Sequence, residues 1–221
     1  KYTFKENIIK LNDFSFGFDG FFAMPDSLTN DMDITFKAKE TAFKNILSLV
    51  PGVFLEGFEE LKTSGDLAFD GFAKGKMVGD QLPTFSLNLL VNEGMFQYPD
   101  LPTAVQNVNI DLAIDNKDGI INNTIIDLKN FHLDMGENPV DIKALVKGLD
   151  VMDIDVNVKA KVNLADITKA YPIEGISMKG LFDADVTAKG TYDSAQSILP
   201  VIDAKIVLSN GYLKSVDVPF P

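Results

Sequence analysis

The sequence contains no cysteine and no arginine, and each absence excludes a class of function. Without cysteine there is no thiol nucleophile, no cysteine zinc site and no disulfide. Lysine supplies the whole basic set, and 20 basic against 32 acidic residues give a net charge of −12. This balance argues against nucleic-acid binding, which needs a basic surface. It also argues against docking on an anionic membrane by charge alone.

Long apolar runs are missing as well. No segment approaches the roughly 18 apolar residues of a membrane-spanning helix, and no signal peptide opens the chain at Lys1. We therefore expect a fragment of a longer protein, with targeting or anchoring segments outside it. The composition, 46% hydrophobic and 24% charged, is that of a globular protein. Its 221 residues allow one large all-β domain or two small ones.

Alternation of apolar and polar residues is the dominant pattern in the chain. Every second residue from Met152 to Val162 is apolar, and the residues between them are Asp, Asn or Lys. The same period of two recurs around residues 14–18, 34–38, 85–91, 108–114, 182–188 and 202–208. It predicts strands with one buried and one solvated face, which is typical of antiparallel sheet.

Residues 41–62 follow a different pattern, with apolar positions at helical spacing. These positions are Phe43, Ile46, Leu47, Val50, Val53, Phe54 and Phe58. Pro51–Gly52 interrupts them, which predicts a helix, a break and a second short helix. A shorter helix is predicted at residues 164–171, before Pro172. We expect these helices to pack across one side or end of the sheet.

The chain repeats itself in order along most of its length. Residues 65–102 match residues 180–219, with Ala-Lys-Gly at 73–75 and 188–190 and Leu-Pro at 82–83 and 199–200. Met-Asp-Ile at 32–34 matches 152–154. The pattern predicts two diverged copies, residues 1–118 with the helical insert and residues 119–221. Such copies stack into one continuous unit when neither buries its apolar face alone.

No set of residues carries a catalytic, cofactor or metal motif. His132 is the only histidine and lies on the polar phase of a strand, with no serine-nucleophile turn elsewhere. Carboxylates two residues apart offer a Ca²⁺ site or an acid/base pair. They are Asp31 and Asp33, Asp153 and Asp155, and Asp183 and Asp185. A solvated sheet face explains them better, because Lys159, Lys161 and Lys189 share those faces.

The apolar stripes of about a dozen strands must be removed from water, yet few helices are predicted. Three covers are open: a second sheet, closure into a barrel, or a non-protein apolar ligand. The rarity of large exposed apolar patches on monomers favours a protein cover. Alternation by itself does not distinguish a core from a lipid groove.

Five segments resemble the AsmA-like family of large bacterial envelope proteins, in its Bacteroidetes-type form. They read GDLAFDGFAKG (65–75), LPTFSLNLLVNEGMFQYPDLP (82–102), VQNVNIDLAIDNKDG (105–119), LVKGLDVMDIDVNVKAKVNLADITKAYP (145–172) and GLFDADVTAKG (180–190). The resemblance implies a curved antiparallel sheet with an apolar inner surface, held in the periplasm by an N-terminal inner-membrane anchor that this chain lacks. It implies no catalytic residue and no cofactor.

The resemblance also implies a role in phospholipid movement and outer-membrane biogenesis, and it shifts the expected cover toward lipid. The residues expected to line an acyl-chain groove are Phe85, Leu87, Leu89, Val91, Ile110, Leu112, Ile154, Val156, Val158, Val186 and Ile206. The alternative is a non-enzymatic scaffold for outer-membrane protein assembly that binds envelope proteins through an exposed strand edge. An envelope hydrolase using paired Asp residues would need an inward-facing carboxylate pair in a cleft.

Overall fold

A computed structural model describes residues 1–11, 14–44, 60–99, 101–170 and 175–215. Within these residues the chain forms one antiparallel sheet of eleven strands, ordered in space as they are in sequence. The strands are β1 (Tyr2–Leu11), β2 (Phe14–Ala23), β3 (Thr29–Ala42), β4 (Lys62–Val78), β5 (Thr84–Gln97), β6 (Val105–Asn116), β7 (Ile125–Met135), β8 (Asn138–Lys147), β9 (Val151–Asn163), β10 (Ile176–Asp193) and β11 (Val201–Ser215). The sheet is open, because β1 pairs only with β2 and β11 only with β10.

The predicted alternation fixes the two faces of the sheet. Residues directly opposite each other on paired strands share a face, and successive residues along a strand alternate between faces. Val158 of β9 lies opposite Val186 of β10 and Ile142 of β8, while its neighbour Lys159 lies opposite Asp185 and Asp141. We call the side that carries Val158 the apolar face and the side that carries Lys159 the polar face.

One α-helix, α1 (Leu164–Ala170), lies among the described residues and connects β9 to β10. It confirms the helix predicted at residues 164–171. Asn138, which begins β8, fastens it to the sheet. The Asn138 Nδ2 donates to the Met135 carbonyl oxygen at 2.7 Å and to Asp166 Oδ2 at 3.0 Å. Its Oδ1 accepts the Asn163 N–H at 2.9 Å.

The longer predicted insert is described only at its ends. Phe43 and Lys44 begin a helical turn after β3, and Glu60 and Leu61 lead into β4. Phe43 and Leu61 are buried. The predictions that involve Ile46, Leu47, Val50, Val53, Phe54 and Phe58 lie outside the described residues. In the part of the chain that the structure describes, no helix is long and apolar enough to cross a membrane.

The buried core sits on the apolar face, near the ends of β3 to β6 where Phe43 packs. Its members are Phe14, Ala38, Phe43, Leu67, Val91, Val105, Val108 and Ala170. A cluster of phenylalanines extends it across β2 to β4. The Phe36 and Phe69 rings stack with centroids 5.2 Å apart, and Phe14 meets Phe69 edge-on at 5.7 Å. These rings remove the apolar face from water at this end of the sheet.

The hairpins β4–β5 and β10–β11 share unusual backbone details. Gly65 (φ +103°) packs against the bulge at Glu93 and Gly94, and Gly180 (φ +117°) packs against the bulge at Asn210 and Gly211. Glu93 and Asn210 both have left-handed φ angles, 49° and 52°. A side chain at Gly65 or Gly180 would overlap the facing backbone, so only glycine fits.

Candidate functional site

The eleven residues expected to line a groove lie on one face of the sheet. Strand pairing joins them into rows that run across the strands. One row contains Leu67, Val91, Ile110, Phe131, Ile142, Val158, Val186 and Ala204, from β4 to β11. A second contains Ala38, Phe69, Leu89, Leu112, Leu128, Ala144, Val156, Ala188 and Ile202, from β3 to β11.

Three further rows hold the remaining predicted residues. Leu87 and Ile154 belong to a row that also contains Phe18, Phe36, Gly71, Ile114, Ile126, Val146 and Gly190. Phe85 lies opposite Ala73 of β4, and Ile206 lies opposite Ala184 of β10. The apolar face is therefore continuous from β2 to β11, with aliphatic or aromatic side chains at nearly every crossing.

Exposure of this face rises toward β11. Leu67 and Val91 are each 1% exposed, whereas Ile202 and Ile206 are 60% and 59% exposed. Most of the other expected groove residues lie between these limits and are half-buried. They are Leu87, Leu89, Ile110, Leu112, Ile154, Val156, Val158 and Val186. The described part of the chain thus covers the face at the phenylalanine cluster and leaves it accessible to solvent along β11.

The aromatic end of this face lies outside the residues expected to line a groove. Phe14, Phe16, Phe36 and Phe69 share the face with Leu87 and Leu89, but they were not among the predicted groove residues. The signal was present, because Phe14, Phe16 and Phe18 alternate in the same period of two. Period alone does not tell which face of one strand continues the face of another, since this depends on pairing.

The polar face carries the carboxylates that were considered as a metal or acid/base site. Each sits beside lysines on neighbouring strands: Lys189 Nζ lies 2.6 Å from Asp155 Oδ2, and Lys74 Nζ lies 2.9 Å from Asp33 Oδ2. The Asp155 carboxylate raises the pKa of Lys189. Among the described residues no group of three or more acidic or histidine side chains is placed to hold a metal. The arrangement is that of a solvated, charge-paired sheet face.

His132 lies on the same polar face, in the middle of the sheet. Its Nδ1 is 2.7 Å from Asp141 Oδ1 on β8, and its Nε2 is 3.5 Å from Asp134 Oδ1. The hydrogen bond with Asp141 is the main cause that raises the pKa of His132. Asn109 of β6, not a serine, lies opposite it. This geometry gives the imidazole two carboxylate partners within the sheet.

Comparisons of the chain with protein-family models, with curated proteins and with solved structures find no significant match.

Proposed function

We propose that this chain is a non-enzymatic, lipid-binding segment whose apolar face shields phospholipid acyl chains from water. One observation carries the proposal: the apolar face runs unbroken across ten strands and stays partly exposed over much of its area. A soluble monomer rarely exposes an apolar patch of this extent unless it binds something there. A lipid tail fits a surface that offers aliphatic side chains and no specific polar contact.

The dimensions of the sheet suit this cargo. Its eleven strands have ten gaps, which at about 4.8 Å each make it roughly 48 Å wide. Half the hydrocarbon core of a bilayer is about 15 Å thick. The face is therefore wide enough to hold more than one acyl chain. Each methylene taken from water contributes about 0.8 kcal/mol.

The mechanism we propose is passive. The acyl chains lie on the apolar face near Leu89, Val156 and Ile206, and the head groups remain in water at the open side. The charge-paired polar face keeps the other side of the sheet solvated. A groove of this kind has no direction of its own, so the direction of transport must come from other components of the envelope.

The resemblance to AsmA-like envelope proteins supports the same proposal from the sequence. We propose a periplasmic location, inner-membrane attachment through a segment outside this chain, and a role in phospholipid transport and outer-membrane biogenesis. We also propose two tandem copies and a curved sheet. The glycines and left-handed bulges of β4–β5 and β10–β11 support the duplication, because they lie at corresponding positions of the two matched sequences.

Aspartate substitutions on the apolar face test the proposal. We expect the double variant Leu89→Asp, Val156→Asp to lose co-purified phospholipid, because two charges in one row make burial of a tail costly. The matched control is Thr84→Asp, Asn157→Asp, on the same two strands but on the polar face, where the two residues lie opposite Lys74 and Lys143. Both variants add the same charge, and circular dichroism checks that both fold.

The measurement is native mass spectrometry with lipid extraction of protein purified without detergent. Uptake of fluorescent phosphatidylethanolamine from vesicles of phosphatidylethanolamine and phosphatidylglycerol provides a second readout. Equal lipid retention in wild type, apolar-face variant and control would reject the lipid proposal. A lipid-free wild-type protein that unfolds cooperatively would reject it too, and would show that protein covers the face.

A scaffold for outer-membrane protein assembly is the second candidate function. The observation that favours it is that, among the described residues, β11 pairs only with β10; its other edge would accept a strand from another protein by β-augmentation. This function requires no lipid, so a lipid-free protein that binds envelope partners through β11 would support it.

A further inference from the structure

The end of the sheet opposite α1 carries exposed apolar side chains on its connecting loops. Besides the connection to the last strand, four connections lie at this end: residues 24–28 between β2 and β3, 79–83 between β4 and β5, 117–124 between β6 and β7, and 148–150 between β8 and β9. Each of them joins strands that are paired on both sides, so its exposure does not arise at an edge of the sheet. We call these four connections the loop rim.

Each connection of the loop rim, or the strand residue beside it, presents a large aliphatic side chain to water. Leu28 is 79% exposed and Ile120 is 49% exposed. The others are Met24, Val78, Ile121, Leu149 and Val151. At the α1 end, the described residues of connections 98–104 and 136–137 include no exposed Leu, Ile, Val, Met or aromatic side chain. The apolar tips are therefore a feature of the loop rim.

Hydrogen bonds fasten three of these connections to one another. The Leu82 N–H donates to the Gly119 carbonyl oxygen at 2.9 Å. The Gly148 N–H donates to the Thr124 carbonyl oxygen at 2.9 Å. The connections that follow β4, β6 and β8 are thus joined into one support for the side chains they carry.

A buried amide holds the 117–124 connection in shape. Asn116 is 1% exposed, and its Nδ2 donates to the Ile120 carbonyl oxygen at 2.7 Å and to Thr124 Oγ1 at 3.0 Å. Its Oδ1 accepts the Gly119 N–H at 2.7 Å. Asp118 Oδ1 accepts the Ile120 N–H at 3.0 Å. The polar groups of this connection are satisfied within it, while the Ile120 side chain stays in water.

Folding gives no reason for these apolar tips. Connections of this kind are usually built from Gly, Asn, Asp, Ser and Pro. An exposed aliphatic side chain gains nothing from burial in the folded chain, whereas contact with an outside apolar surface removes it from water. A group of such side chains on one fixed support is typical of a site that binds a protein or a membrane.

The composition of the loop rim selects a membrane as the partner. Its four connections contain no Phe, Tyr, Trp or Arg. Aromatic residues and Arg dominate protein–protein hot spots, where Leu and Val are under-represented. Separate aliphatic tips enter a fluid hydrocarbon layer without matching pockets, and binding grows with the apolar area buried.

The charge of the loop rim selects the kind of membrane. Its charged residues are Asp26, Asp80, Lys117, Asp118 and Asp150. Four carboxylates against one lysine do not draw the rim to anionic lipid, which attracts basic segments. A bilayer of zwitterionic lipid carries no net charge to repel it.

We propose that the loop rim docks on the surface of a zwitterionic lipid bilayer and inserts Leu28, Ile120, Ile121 and Leu149 into it. Six strand spacings separate the first and last of the four connections, which at about 4.8 Å each make a contact line of roughly 29 Å. Docking uses the rim at the end of the apolar face and not the face itself. It therefore goes beyond the lipid-binding proposal and does not depend on it.

A single engineered tryptophan tests the insertion, because the chain contains none. Ile120→Trp should shift its fluorescence to shorter wavelength when phosphatidylcholine vesicles are added, and vesicles with brominated acyl chains should quench it. Gln106→Trp is the control. Gln106 is exposed on β6 near the α1 end, and its substitution should give neither effect.

Co-sedimentation with phosphatidylcholine vesicles tests the contribution of the tips to binding. Ile120→Ser, Ile121→Ser is expected to weaken partitioning at least about tenfold, because it removes two inserted side chains. The matched control is Leu90→Ser, Leu181→Ser. It removes two aliphatic side chains that are each 41% exposed but lie on the polar face, and it should bind as the wild type does. Circular dichroism checks that both variants fold.

Three outcomes would overturn the proposal. The first is a wild-type chain that stays unbound at saturating phosphatidylcholine. The second is equal binding by the wild type and Ile120→Ser, Ile121→Ser. The third is binding that requires phosphatidylglycerol and disappears in high salt, which would make the contact electrostatic.

The apolar-face variant Leu89→Asp, Val156→Asp separates this proposal from the lipid-binding one. It should still dock on vesicles while losing co-purified lipid. A variant that docks and keeps its lipid contradicts only the lipid-binding proposal. A wild-type chain that retains lipid on its apolar face but never docks contradicts only the proposal for the loop rim.

Discussion

At the scale of single residues, His132 is one group that links folding to pH. Its imidazole lies between Asp141 and Asp134, and its side chain is 28% exposed. The hydrogen bond with Asp141 raises the pKa of His132 above the ordinary value of about 6.5. A raised folded-state pKa contributes stability that is complete below the unfolded value and is lost as pH rises through the folded value.

His132→Gln should therefore destabilise the protein in acid and matter little in base. We expect a loss of roughly 0.5–1 kcal/mol at pH 5.5, since the pair is partly solvated, and a smaller loss at pH 9. The measurement is the free energy of unfolding in urea at both pH values. Asp141→Asn should flatten the pH dependence in the same way. A loss that is equal at both pH values would show that His132 acts through packing instead.

Sequence reasoning reached parts of this picture at the residue scale. It placed His132 on the polar phase of a strand, and the polar face confirms this. It did not find Asp141 as the partner, because pairing β7 with β8 depends on a bulge between Leu128 and Phe131. The bulge puts Leu128 and Phe131, three residues apart, on the same face, so the alternation changes phase there. The alternation alone does not show which residue of β8 each of them faces.

At the scale of elements, the attachment of α1 depends on one buried amide. Asn138 is 7% exposed and bonds Met135, Asn163 and Asp166 at once. Lys169, together with Asn138, lowers the pKa of Asp166. The Asp166 carboxylate therefore stays ionised near the N-terminus of α1, where its negative charge interacts favourably with the helix dipole.

Asn138→Ala should loosen this junction. It removes three hydrogen bonds and leaves the Asn163 N–H without its acceptor, so we expect a loss of about 1–3 kcal/mol. Urea unfolding provides the measurement. Asn88→Ala is the control, because its 3.1 Å bond to Asp70 is exposed, and it should change stability by less than about 0.5 kcal/mol. Equal losses of unfolding free energy in the two variants would show that the hydrogen bonds of Asn138 do not specifically hold α1 on the sheet.

The elements themselves were largely predictable, but their registers were not. Alternation identifies strands, and short connections between them favour a meander of neighbours. Sequence matching aligned Met32 with Met152, yet Met32 lies opposite Gly75, and Ile154, not Met152, lies opposite Gly190. The sequence match and the strand pairing thus differ by two residues. A shift of two residues keeps every side chain on the same face, so the alternation of the sequence does not reveal it.

At the scale of the whole molecule, stability is expected to be uneven across the sheet. Each strand packs mainly against the strands before and after it, as in repeat proteins whose parts open separately. The buried core lies around β3 to β6, and β11 pairs on one side only. We expect amide hydrogen exchange to be slowest at Leu67 and Val91 and fastest along the edge strands β1 and β11.

Native-state exchange measured in dilute protein, where association is absent, checks this gradient. The protection of β11 amides should fall well below that of β5 amides. Uniform protection from β2 to β11 would contradict the expectation and would mean that the sheet opens as one cooperative unit.

The openness of the sheet is what sequence reasoning left undecided. A second sheet, a closed barrel and a ligand-covered face all share the same alternation, and the exposure of Ile202 and Ile206 becomes visible only when the strand order is known. Strand pairing places the eleven residues expected to line a groove on one face of the sheet. What binds there stays a prediction.

The charge pairs of the polar face have a consequence for how the chain finds its alignment. Along β9 the apolar side chains are so alike that sliding β9 by two residues past β10 would still oppose aliphatic to aliphatic. The charged residues do distinguish the two registers. The observed register places Lys161 opposite Asp183, Lys159 opposite Asp185 and Asp155 opposite Lys189. A slide in either direction keeps fewer such pairs. The register of each strand is thus specified by the charged side chains on its solvated face.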